Sequence, residues 1–145
     1  MEELDELRIL VQNGDYEAAL ALIDELDAMS RDDKLTKIES YMHILLLHCI
    51  KQAAERRTTR SWDFSIAEAA RRIAKVDKRR KSGGWYLPTE ELQEALANEY
   101  EAALRRATLE VHAGLHTPEQ LATLVDRHTV LTVAWEHIAA AMQQG

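Results

Sequence analysis

One cysteine, two prolines, five glycines and a single phenylalanine in 145 residues leave little to staple, kink or interrupt this chain. The lone Cys49 excludes an internal disulfide framework and suits a reducing compartment. Long hydrophobic runs are missing too. The longest, ILLLHCI from Ile44 to Ile50, is broken by His48 and falls far short of the ~20 residues of a membrane span. The opening MEELDEL has neither the basic nor the apolar stretch of a secretory signal, so a cytoplasmic protein that avoids membranes is expected. Apolar residues at 46% and charged residues at 30% describe a globular, helix-rich chain rather than a disordered one. The length suits a single domain over 1–145, with a core that needs no metal or disulfide.

What the chain has is charge, and the charge is segregated. Residues 1–50 carry −8, residues 51–81 carry +7 and residues 82–145 carry −6, for a net of −7. Such asymmetry marks either a surface for a phosphate backbone or a basic helix set among acidic ones.

Apolar periodicity reads as helix throughout, with no competing strand pattern. A first helix spans Glu2 to Val11 and stops at Asn13-Gly14, where glycine takes a left-handed position. Asp15 caps a second, apolar at Ala18, Leu22 and Leu26. Ser30 and Asp33 open a third that carries the stripe Leu35, Ile38, Met42, Leu45 and Cys49 to about Glu55. A fourth starts at Ser61 or Ser65, with Phe64, Ala67, Ala70, Ile73 and Ala74 on its inner face. Thr89 caps a fifth that runs to Ala113. Thr117, Pro118 and Gln120 open a sixth with the stripe Leu121, Leu124, Val125, His128, Leu131, Trp135, Ile138 and Met142. The expected fold class is all-α: a compact bundle of about six helices, three of them long, mostly up-and-down.

The candidate ligand or anion site is His48, Lys51, Arg56, Arg57, Arg60 and Trp62. His48 and Lys51 share a helix face, and the three arginines precede a helix N-terminus. Trp62 offers a stacking surface for a base or a guanidinium. Arg71, Arg72, Lys75, Lys78 and Arg79 recur on one side of the fourth helix and run into KRRK, Lys78 to Lys81. Both groups serve equally well to neutralise the chain's own acids.

Metal and catalytic signatures are lacking. Six histidines form no Glu-x-x-His or His-Glu-x-x-His pattern, and no cysteine pair accompanies them. Gly114 and a helix end fall between His112 and His116, which removes a shared face, and His128 reads as a core histidine. No metal and no cofactor are expected. No Gly-x-Ser-x-Gly elbow or phosphate loop is present, and Cys49 sits on a core stripe, so no catalytic residues are assigned and an enzyme is not expected.

Four stretches belong together: ELDAM (Glu25 to Met29), HCIK (His48 to Lys51), ERRTTRSW (Glu55 to Trp62) and ANEYEAALRRATLEVHAGL (Ala97 to Leu115). In them the chain resembles a bacterial family known only as a domain of unknown function, number twenty-nine. The likeness covers residues 10–115, and the C-terminal helix at 116–143 departs from it. The resemblance implies a helical, cytoplasmic, bacterial protein, carries over no activity, and suggests that His48, Lys51 and Trp62 form a related set. The functional expectation is a helical binding or scaffold protein. It would self-associate through apolar helix faces or hold a protein partner. The alternative is nucleic-acid or phosphate-ligand binding through 51–81.

Overall fold

The computed structural model describes residues 2–79 and 83–144. Its six helices are α1 (Glu2–Gln12), α2 (Tyr16–Glu55), α3 (Arg60–Asp77), α4 (Thr89–Thr108), α5 (Pro118–Leu124) and α6 (Arg127–Gln144), with a 3-10 turn at Val111–Gly114. No strand occurs among the described residues; Lys78 and Trp85 make an isolated antiparallel bridge. The fold is an all-α bundle. The chain divides into two compact units, Met1–Leu35 and Thr36–Gly145.

In the first unit, Gly14 takes a left-handed φ of +74° and Asp15 N–H returns to the Leu10 carbonyl at 2.9 Å. The Asp15 carboxylate then accepts from Ala18 N–H at 3.3 Å and starts α2. Ala18, Leu22 and Leu26 are half-buried and Ala19 is buried, whereas α1 has no buried residue at all.

The break predicted at Ser30 does not occur, and α2 runs unbroken for 40 residues. Between Gly14 and Gly83 there is no glycine or proline, and good helix formers flank Ser30 on both sides. A capping pair stabilises a helix end but does not create one; continuing the ladder costs less than nucleating again. In the second unit α2 is buried nearly all round, at Ile38, Met42, Leu45, Leu46, Leu47, Cys49 and Ile50. Burial pushes the Cys49 thiol up to about 12, which leaves it inert. What ends α2 is Arg56, held at φ +53°, followed by Thr59, whose hydroxyl accepts from Trp62 N–H at 3.1 Å and caps α3.

Helix α3 packs along α6, and α4 packs against α5 and α6. The buried face of α3 is Ile66, Ala69, Ala70, Ile73, Ala74 and Asp77; the expected Ala70, Ile73 and Ala74 lie on it, whereas Ala67 is exposed and Phe64 is 70% exposed. On α6 the buried residues are Val130, Ala134 and Ile138. Small side chains let the two backbones approach closely.

Two other boundaries differ from the periodicity. Helix α4 ends at Thr108, because His112, Ala113 and Gly114 all adopt left-handed φ, at +47°, +56° and +77°. The expected sixth helix is two. Thr117 and Gln120 form their capping box, but Val125 is extended, and the Asp126 carboxylate accepts from Thr129 N–H at 3.1 Å to cap α6 anew. The stripe therefore splits, leaving Leu124 and His128 exposed. No helix among the described residues is long and apolar enough to cross a membrane.

Candidate functional site

The C-terminus of α2, the N-terminus of α3 and the turn after α4 meet within the second unit. All three non-glycine residues with positive φ among the described residues, Arg56, His112 and Ala113, lie at this junction. Backbone held in the left-handed region costs free energy, and such residues persist only where surroundings over-determine them. Here side chains do so. Lys51 is 9% exposed, and its Nζ donates to Glu110 Oε1 at 3.1 Å while standing 5.3 Å from the Trp62 ring centroid. The Arg57 guanidinium lies 4.7 Å from the same centroid, and its Nε donates to Glu55 Oε1 at 2.9 Å. The other Glu55 oxygen accepts from His112 N–H at 3.4 Å, tying the left-handed turn to α2. Burial raises the Glu55 carboxyl, but the hydrogen bonds from Arg57 and His112 N–H outweigh it and hold the group below its ordinary range. Arg106 stands 3.6 Å from the second oxygen of Glu110.

The structure thus gathers Lys51, Arg57 and Trp62. The other three candidates stand apart. His48 Nδ1 meets the Ile44 carbonyl oxygen of its own helix at 2.9 Å. Arg56 and Arg60 are exposed and make no ion pair among the described residues. Beside them Gln52 donates to Thr58 at 2.7 Å and Thr58 to Asp63 at 2.6 Å, stiffening the loop between α2 and α3.

On the basic face of α3, Arg71 and Arg72 both close on Glu68, at 2.7 and 3.0 Å. Hydrogen bonds from Arg71 and then Arg72 hold the Glu68 carboxyl down to about 2. Lys75 and Lys78 are exposed, and Arg79 lies 5.3 Å from the Tyr86 ring centroid. Arg80 and Lys81, the rest of the KRRK run, fall outside the described residues. Phe64 stands on this side of the helix between two surface hollows. One, of about 360 Å³, is lined by Tyr41, Ile44, Phe64, Ala69 and Arg72 among others; the second, of about 310 Å³, by Phe64, Ala67, Ala70, Arg71 and Ala140 among others.

Two features escape a linear reading. Glu110 is 59 residues from Lys51 and has no sequence signal. Asp77 is completely buried at the foot of the loop into α4. Its backbone carbonyl accepts from Tyr86 N–H at 2.8 Å and its Oδ1 from Leu87 N–H at 2.9 Å, while Oδ2 has no partner among the described residues. Desolvation raises its carboxyl above the ordinary value, against the Leu87 hydrogen bond.

Fold and junction together define a small helical-bundle protein whose buried cation is answered by its own carboxylates. The sequence pattern of the family described as Domain of unknown function DUF29 matches residues 11–136, and the chain belongs to that family. The matched stretch extends past Leu115, through α5 and into α6. No curated protein and no solved structure matches the chain.

Proposed function

We propose that this protein is a self-assembling helical scaffold, in which the N-terminal hairpin of one molecule docks on the α3 face of another. The observation that carries the reading is the apolar surface of residues 2–35. Leu4, Ile9, Val11, Tyr16, Leu20, Ile23 and Met29 are each 44–65% exposed, and Tyr16, Leu20 and Ile23 recur at i, i+4 and i+7 on one side of α2. Contiguous exposed apolar surface on a water-facing helix marks an interaction site.

Charge selects the occupant. The hairpin is strongly acidic, so two hairpins repel each other. The α3 side offers the opposite sign in the exposed Arg60 and Lys75, on the same helix as the exposed Phe64 and its flanking hollows. An amphipathic acidic helix set into an apolar groove with a basic rim is a familiar recognition mode. A contact between two different surfaces of identical molecules does not close at two copies; it builds rings or chains.

The same cations supply the alternative, a phosphate-backbone surface. The engagement of Lys51, Arg57, Arg71 and Arg72 by carboxylates argues against it. Sedimentation at about 1–100 µM protein is the test. The weight-average mass is expected to rise with concentration, more steeply at low salt. A monomer throughout this range at low salt contradicts the proposal. Salt-sensitive binding of labelled DNA or RNA by that monomer promotes the alternative.

A further inference from the structure

His112 and His116 were expected to share no face, and the left-handed turn overturns that. With His112, Ala113 and Gly114 all at positive φ, the chain doubles back, and His112 Nδ1 comes to 3.0 Å from His116 Nε2. The ring centroids are 5.2 Å apart and the planes 67° from parallel. The geometry points to a divalent transition-metal site, with the two imidazoles as ligands for an ion such as Zn²⁺ or Ni²⁺. Two nitrogens each ~2.1 Å from a common metal are separated by about 3 Å at a bite of about 90° and about 3.4 Å at a tetrahedral angle, so the 3.0 Å pair suits Ni²⁺ as it stands and opens by a few tenths of an ångström for Zn²⁺. Imidazole is the ligand type suited to these ions.

The backbone supports the assignment. Two consecutive non-glycine residues in the left-handed region are costly, and their effect is to present two imidazole edges to each other on the surface. The turn is held from behind by the Glu55 contact to His112 N–H and by the buried Val111. Its exit is fixed by the capping box at Thr117 and Gln120, one residue after His116. No group of three or more His, Cys, Asp or Glu gathers at one point among the described residues, so the remaining coordination positions go to water or to a ligand from solution. Such an open two-imidazole site differs from a closed structural zinc site.

The test is calorimetric titration of the full chain with ZnCl₂ at pH 7.5, repeated with His112→Ala, His116→Ala and the control His128→Ala, each at an exposed or half-exposed position. Side-chain nitrogen-correlated NMR of the histidine rings identifies the ligands. One ion per chain is expected, with affinity reduced about 10- to 100-fold in either ligand variant and unchanged in the control, since losing one of two linked donors removes the chelate advantage. Resonances of His112 and His116 shift together on titration with the metal. Equal affinity in wild type and in the His112→Ala/His116→Ala double variant, or ring shifts confined to other histidines, overturns the site and leaves the pair as a plain N–H···N hydrogen bond.

Discussion

Asp77 and Lys51 are the residues on which burial and charge conflict most directly. Asp77 is an acid raised by desolvation. Near pH 3.8, its ordinary value, the unfolded chain releases the proton while the buried group keeps it, so stability falls as pH rises until the folded group ionises as well. Asp77→Asn keeps an oxygen for Leu87 N–H and cannot titrate. The melting temperature of the variant minus that of wild type should therefore become more positive as pH rises from about 4 through the raised pKa of the folded group. Thermal melts at matched pH check this, and a flat or falling difference contradicts it. Lys51 is held by Glu110 and by the Trp62 face. Glu110→Gln removes the countercharge and should cost about 1–2 kcal/mol in urea unfolding. Lys51→Met, which removes the buried charge and keeps the stem, should cost less. The reverse order would mean that the ammonium is well solvated. None of this was legible in the chain: a separation of 59 positions between the partners carries no local pattern, and Asp77 reads as one more acid on a charged helix.

At the scale of elements, what the sequence foretold follows from where chemistry is local. The Gly14 stop, the Asp15 cap, the Thr117–Gln120 capping box and the Ile38–Met42–Leu45–Cys49 stripe each depend on residues within one or two turns, and each is present. The errors share a cause. Ser30 and Asp33 look like a cap but lack a breaker beside them, whereas Asp126 and Thr129 cap a helix inside an unbroken apolar period. Phe64 falls in period with Ala70, Ile73 and Ala74, but packing of α3 along α6 buries Ile66 and leaves Phe64 out. The left-handed turn is open to a direct test. Ala113→Gly relieves a non-glycine residue at φ +56° and should raise stability by about 1 kcal/mol, or 2–4 °C. Gly114→Ala does the opposite, since φ is +77° and the added Cβ would sit 3.4 Å from the Leu109 carbonyl oxygen. Differential scanning calorimetry of both variants checks the pair, and a loss of stability in Ala113→Gly contradicts the strain.

On the scale of the whole molecule, the segregated charge has two destinations. Within the second unit, four cations of the basic segment are answered: Lys51 by Glu110, Arg57 by Glu55, and Arg71 and Arg72 by Glu68. Lys51 and Arg57, gathered around Trp62, belong to a junction that pairs with its own carboxylates and ties down the left-handed turn. The N-terminal hairpin is acidic by composition and leaves apolar side chains exposed. Self-assembly through hairpin and α3 face accounts for both excesses at once.

The most direct measurement mixes two crippled variants. Leu20→Glu/Ile23→Glu spoils the hairpin and leaves α3 intact; Phe64→Glu spoils the α3 face and leaves the hairpin intact. All three positions are exposed, so both variants should fold. Alone, each is expected to sediment as a monomer. Mixed in equal amounts, they should form a complex of one copy of each and no larger species, because only one pair of good surfaces remains. A mixture that stays monomeric while wild type assembles, or a single variant that assembles unaided, would contradict the hairpin-to-α3 contact.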